Sequence, residues 1–184
     1  RGGYSMYDKS DPRASLVSKP AASTIAQTGL IAEPQEGFFY ASPPQINDAS
    51  GKTWLLRGHN FLVAYTEAAP GAVFTRDAQQ DEYAVLLPKA EAVVSWRGSA
   101  EEVSGNSLTF VPPGDSSLCL PEGGVVVRFF STRNTDLAEA CVNAQGYEVP
   151  RGHIPEFTPW PDPVGGWKIR SYSLDVPKQE GRFG

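Results

Sequence analysis

The sequence predicts an all-β sandwich or barrel, on three observations. Glycine and proline are abundant, 18 and 16 of 184 residues, which favours short strands and turns over long helices. Short apolar runs rich in β-branched and aromatic residues recur at close spacing between turn-forming residues, the pattern of a many-stranded β domain. Along Ala92 to Trp96 and Val125 to Phe130 both faces of the run are largely apolar, as where two sheets or a covering segment meet.

In chain order, residues 1–36 read as an extended arm. It carries Pro12, Pro20 and Pro34 and no helical or strand period. It is too poor in bulky apolar residues to form its own core, so an ordered arm would lie across another surface. Residues 37–147 read as the barrel. Its runs are Phe38-Phe39-Tyr40, Trp54 to Leu56, Phe61 to Thr66, Tyr83 to Leu87, Ala92 to Trp96, Ser107 to Val111, Ser117 to Leu120 and Val125 to Ser131. One helix is expected from Thr135 to Ala144, with Asp136 as its cap and Glu139 three positions on. Leu137, Ala140 and Cys141 share its face, and Gly146 ends it.

Residues 148–184 read as a proline-rich connector and a C-terminal strand. Pro150, Pro155, Pro159, Pro161 and Pro163 make the connector extended, with Phe157 and Trp160 as anchors. Trp167 to Leu174 then reads as a strand. It either begins a second domain or pairs back onto the barrel's edge, the second being favoured. Either way an exposed edge invites a partner strand.

Charge and composition narrow the function classes. The net charge is −5 and the pI about 5.1, with Lys and Arg scattered. Nucleic acid is therefore not expected as a partner, since its phosphates demand a clustered basic surface. No apolar run approaches the ~20 residues that span a bilayer, and no segment of secretory type opens the sequence. A cytoplasmic protein without membrane contact is expected. Cys119 and Cys141 sit in apolar contexts and read as two buried thiols.

Two segments carry a family likeness. Gly71-Ala-Val-Phe-Thr-Arg-Asp-Ala-Gln-Gln-Asp-Glu-Tyr-Ala-Val-Leu-Leu-Pro88 and Gly105-Asn-Ser-Leu-Thr-Phe-Val-Pro-Pro-Gly-Asp-Ser-Ser-Leu118 resemble the two signature motifs of the cupin superfamily. The resemblance covers residues 55–131. It implies a cupin-type β-barrel or jelly roll with one short helix. In the family pattern a His-x-His and a later Glu, with a His from the second motif, hold one metal ion. Here the first two histidines would fall near Thr75 to Ala78 and the last at Ser117, and none is present. Glu82 matches the family's glutamate, whereas Lys89 stands where family members usually carry glycine. Asp77 is the only ligand type near the missing histidines. Two carboxylates without imidazole suit magnesium or calcium better than a transition metal. The expectation is a barrel with neither metal nor cofactor.

The candidate ligand-binding residues are Phe74, Arg76, Asp77, Glu82, Tyr83 and Ser117. At a barrel mouth they would orient a small polar ligand; equally, such side chains fill the interior of a small barrel. The chain's two histidines, His59 and His153, sit in turns and read as hydrogen-bonded surface residues. Ser116 and Ser117 lack the frame of a nucleophile elbow and read as turn hydroxyls.

The resemblance implies a non-catalytic cupin domain or subunit. It would work in assembly with a second cupin that keeps its metal, as in two-cupin, mononuclear iron dioxygenases that open aromatic rings. The partner is then a second cupin domain or subunit, or another copy of this chain in a homo-oligomer. Two alternatives stand. One is a stand-alone cupin enzyme, isomerase-like or with an atypical site drawn from Asp77, Glu82, His59 and Arg76. The other is a small-molecule binding or sensor module.

Overall fold

The computed structural model describes residues 36–147, 158 and 161–175. The chain divides into two compact units, one of Arg1–Pro34 with Val149–Trp167 and one of Gln35–Glu148 with Lys168–Gly184. In the first, the described residues hold a turn in which the Gly166 N–H donates to the Pro163 carbonyl at 3.0 Å and the Trp167 indole to Asp162 Oδ1 at 3.1 Å. The expected arm, His153, Phe157 and Trp160 lie outside the described residues.

The second unit is the barrel, whose described residues form eleven strands: β1 (Ile46–Asp48), β2 (Gly51–Arg57), β3 (Phe61–Ala68), β4 (Ala72–Gln79), β5 (Tyr83–Leu87), β6 (Ala92–Trp96), β7 (Ser99–Val103), β8 (Ser107–Val111), β9 (Gly114–Leu120), β10 (Gly124–Ser131) and β11 (Arg170–Ser173). All pair antiparallel, in sheets of order β1-β2-β3-β10-β5-β8-β11 and β4-β9-β6-β7. The all-β jelly roll with one short helix is thus the observed architecture.

Period-two alternation sets the core. Tyr83, Val85 and Leu87 of β5 are buried while Ala84 and Leu86 between them are only half-buried, and Ser116, Leu118 and Leu120 of β9 answer from the facing sheet. Leu55, Leu62, Val85, Val94, Leu118 and Val126 are 0–1% exposed. Each contributes about 1.5–3 kcal/mol by burial. The opposite face of the larger sheet is apolar too: Val63 and Tyr65 of β3, Leu86 of β5, Leu108 and Phe110 of β8, and Val127 and Phe129 of β10 are all half-buried.

Local structure departs from the sequence reading in four places. Phe38-Phe39-Tyr40 is a turn, not a strand: the N–H groups of Ala41 and Ser42 both donate to the Phe38 carbonyl at 3.0 and 3.1 Å. Phe39 stacks on Tyr65 at 4.8 Å, so its aromatic bulk serves the outer face. Second, β7 has no apolar period, because four of its five positions are exposed and only Val103 is buried. Third, the helix α1 is Thr135–Ala140, because Cys141 turns extended (φ −63, ψ 139). Ala144–Tyr147 is a separate 3-10 turn. Asn134 holds the cap position without a side-chain capping bond to the helix's own N–H groups, Asp136 lies in the first turn, and the buried side chains are Ala138 and Cys141. Fourth, the last strand is shorter than expected.

That strand, β11, pairs with β8. The Leu174 N–H adds a bond to the Asn106 carbonyl at 2.8 Å, and the Asn106 amide donates to Asp175 Oδ1 at 2.7 Å. Both cysteines are free thiols, Cys141 buried and Cys119 half-buried. Among the described residues no helix is long and apolar enough to cross a membrane.

Candidate functional site

The site begins with an irregularity in β4. Ala72, Phe74 and Arg76 alternate inward against β9, then the register shifts between Arg76 and Gln79. Two residues, Asp77 and Ala78, bulge to solvent before Gln79 turns back inside. Ala78 takes a left-handed conformation (φ 49), and its N–H is satisfied by Asp115 Oδ1 at 2.7 Å. This is the behaviour of a β-bulge, which re-aims side chains at a sheet rim.

The bulge aims Arg76 into a polar network at one end of the barrel. Its Nε donates to Gln79 Oε1 at 2.9 Å, Nη2 to Asn134 Oδ1 at 2.8 Å, and Nη1 pairs with Asp136 Oδ2 at 2.7 Å. The Arg76 hydrogen bond holds the Asp136 carboxyl below its ordinary value, against a smaller opposing effect of burial. Arg76, Asp77, Gln79, Asn134 and Asp136 line a cavity of about 330 Å3. Nearby, Arg133 Nη1 donates to Asp81 Oδ1 at 2.6 Å, and the Ser131 hydroxyl donates to Asp81 Oδ2.

Behind this network lies a second, enclosed cluster. Arg128 projects from β10 into the interior, between Val126 and Phe130 in the inward phase of that strand. Its guanidinium sits over the Phe74 ring at 4.3 Å and 5.9 Å from the Phe130 centroid, where cation–π attraction offsets part of its lost hydration. Its Nη2 donates to Thr66 Oγ1 at 3.2 Å, and Thr66 shares a hydrogen bond with Thr53 at 2.9 Å. The Arg128 Nε is enclosed and, among the described residues, has no acceptor. Tyr83 stacks on Phe130 at 4.9 Å and exchanges a 3.1 Å hydrogen bond with Ser116.

Burial decides the protonation of this interior. It pushes the Arg128 guanidinium down to about 10; Tyr83 opposes that fall, and repulsion from Arg76 adds to it. Burial also raises the Tyr83 phenol, more than the Ser116 hydrogen bond and the two arginines lower it. At neutral pH the arginine is therefore charged and the phenol neutral. A cationic interior of hydroxyl and guanidinium donors disfavours a divalent metal ion. Among the described residues no group of three or more His, Cys, Asp and Glu side chains comes together to hold a metal.

The structure divides the sequence-predicted residues among four places. Arg76 and Asp77 line the mouth cavity. Phe74 and Tyr83 lie in the interior against Arg128 and Phe130. Glu82 turns to the outer face, where it pairs with Arg170 of β11, whose guanidinium lies over Phe110 at 5.4 Å. Ser117 stands opposite Thr75 and Ser95 within the smaller sheet, and the inward hydroxyl of β9 is its neighbour Ser116. His59 rests edge-on against Tyr147 at 4.8 Å, away from both clusters. Sequence reasoning missed Arg128, Thr66, Ser116 and Gln79. One signal was present: Arg128 is the only charged residue in the apolar run Val125 to Phe130.

Comparison with known proteins places the barrel. No family model matches the chain, and no curated protein matches it. Among solved structures it is similar to an RmlC-like cupin from Shewanella frigidimarina, with TM-score 0.50 and 20% identity over 56% of this chain and 96% of that one. It is also similar to KdgF from Halomonas sp., with TM-score 0.49 and 13% identity over 56% of this chain and 98% of that one. A third is the cupin domain of Cnp3 from Schizosaccharomyces pombe, with TM-score 0.42 and 13% identity over 57% of this chain and 80% of that one. The two facing antiparallel sheets and the likeness to the Shewanella protein give one conclusion: this chain carries the cupin fold.

Proposed function

We propose that this chain is a non-catalytic cupin that works by association with a second, metal-bearing cupin domain or subunit, of the kind found in mononuclear iron dioxygenases. One observation carries the reading. The inward positions beside the motif strands hold Arg128, Phe74, Phe130, Tyr83 and Ser116, a set that packs and donates hydrogen bonds but offers no imidazole or carboxylate ligand. The half-buried apolar outer face of the larger sheet supports the association half of the reading, since contiguous apolar surface is what a stable partner covers.

Two measurements test it. Elemental analysis of the purified chain should find well under one equivalent of iron, zinc or manganese, and a stoichiometric metal would overturn the metal-free half. Light scattering in solution should give a dimer or a hetero-complex, and a clean monomer at all concentrations would overturn the association half. The mouth cavity of about 330 Å3 favours a second reading, a small-molecule binding module. A monomer that binds a small ligand would establish that reading in place of the first.

A further inference from the structure

Among the described residues the two sheets have four edges, at β1, β11, β4 and β7, and three of them carry a block to further pairing. β1 is only three residues long and follows Pro43 and Pro44. β4 is broken by its bulge, with Asp77 at the surface. β7 presents Glu101 and Glu102 to solvent. Short length, bulges and outward charge are the devices that keep a sheet edge from pairing with another chain. From Ser171 to Leu174, β11 and its continuation have neither bulge, proline nor charge. All four residues are exposed, and Tyr172 (53%) and Leu174 (44%) are large apolar side chains left to solvent. The charge that opens the strand, Arg170, is engaged by Glu82.

The backbone phase of β11 determines what this edge offers. The Leu174 N–H donates to the Asn106 carbonyl at 2.8 Å, and Tyr172 and Arg170 stand opposite Leu108 and Phe110. Bonded and non-bonded pairs alternate along an antiparallel ladder. Arg170, Tyr172 and Leu174 therefore turn their backbone groups toward β8, while Ser171 and Ser173 turn theirs to the free edge. We infer that this edge pairs antiparallel with β11 of a second copy, about a two-fold axis at Tyr172. Ser171 then faces Ser173 of the partner subunit, and Ser173 faces Ser171 of the partner subunit, each pair exchanging both backbone bonds. Tyr172 meets Tyr172 of the partner subunit at a non-bonded position, where opposed side chains come closest. Such an edge is self-complementary, as a two-fold interface requires. The apolar row of Tyr172, Leu108, Leu86, Val127 and Tyr65, which stand opposite one another on successive strands, becomes continuous across the axis. The pairing rests on the association reading above and gives it a surface and an occupant. An edge of four residues covers less than the roughly 800 Å2 per partner of a standard interface, so the dimer is reversible and concentration-dependent.

Sedimentation velocity of the intact chain should show its mass double as concentration rises from about ten micromolar to about one millimolar. Ser173→Pro removes an outward N–H without touching the β8 ladder, and should keep the chain monomeric over that range. Tyr172→Cys should form an interchain disulfide on mild oxidation, since opposed Cα atoms at such a pair lie about 4.5 Å apart. Leu174→Cys should not, because its two copies would stand about 14 Å apart along the strands. The wild type, with Cys119 and Cys141, is the blank, and peptide mass spectrometry identifies the linked position. Should Ser173→Pro fail to fold, the two cysteine variants still decide. A wild type that is monomeric at every concentration overturns the pairing, whether or not a foreign extended segment takes the edge instead. A dimer that survives Ser173→Pro, or in which Tyr172→Cys cross-links no better than Leu174→Cys, overturns the pairing alone and leaves association standing.

Discussion

Arg76 is the residue whose loss should be felt most at the barrel mouth, and the structure says by how much. In Arg76→Met the aliphatic stem is retained, but three acceptors lose their donor. Two of them are buried: Gln79 is 3% exposed and Asn134 5%. Their amide oxygens accept from Arg76 at 2.9 and 2.8 Å. Their amide N–H groups keep their bonds to the Asp81 and Ser131 carbonyls, so each side chain stays in place with an unmet oxygen. A buried acceptor left without a partner costs about 1–3 kcal/mol, which gives about 2–6 kcal/mol for the pair.

The third acceptor, Asp136, is different. Its side chain is 59% exposed, and exposed ion pairs contribute about 0.2–1 kcal/mol. Asp136→Asn should therefore cost well under half of what Arg76→Met costs. Urea denaturation of the two variants against the wild type, with the slope checked for constancy, measures both. In thermal scans the Arg76→Met loss corresponds to roughly 5–15 °C. If Arg76→Met costs less than about 1 kcal/mol, or no more than Asp136→Asn, then the buried acceptors find other donors and the reasoning fails.

Two further outcomes are expected. Because the folded-state Asp136 carboxyl is held below its ordinary value by Arg76, its contribution is present above the unfolded carboxylate value of about 3.9 and fades as pH falls through the lowered folded value. The stability gap between wild type and Asp136→Asn should thus be flat from pH 5 to 8 and close below about pH 4; a gap that widens in acid would contradict the sign. Burial raises the Cys141 thiol, against a smaller opposing pull from Arg57, and Cys141 is more enclosed than Cys119. Iodoacetamide at pH 8 should modify Cys119 at least roughly tenfold faster in the native state, and peptide mass spectrometry showing equal rates would refute that ordering.

The fold was legible where burial is one-sided or two-sided along a run. Tyr83 to Leu87 and Ser107 to Val111 alternate between buried and half-buried positions, and Val125 to Phe130 is largely apolar on both faces, with Val126 and Phe130 buried and Val125, Val127 and Phe129 half-buried. It was illegible where a strand is held by its ladder and not by its side chains. β7 pairs along its whole length with β6 but buries a single residue. The aromatic triplet at Phe38 misled for the converse reason, since hydrophobicity reports burial and not backbone conformation.

The candidate site was half legible. Counting from motif landmarks assumes that strands keep their phase. The β4 bulge changes the phase between Arg76 and Gln79, which leaves Asp77 outside and brings Gln79 in. On β9 the inward phase falls on Ser116, one residue before the counted position. Glu82 lies one residue before β5 begins and points with Ala84, away from Tyr83. Arg128 was visible in the sequence as a charge among apolar neighbours, but only the pairing of β10 between β3 and β5 shows that it faces inward.

The pairing of β11 with β8 also bears on how the chain is made. Arg170 stands opposite Phe110, so β8 leaves the ribosome well before the segment that covers its outer edge exists. At 5–20 residues per second the interval is about 3–12 s. During it β8 presents unpaired backbone groups beside Leu108 and Phe110. Conditions that slow translation downstream of β8 lengthen that window, and with it the time in which one nascent chain can capture another.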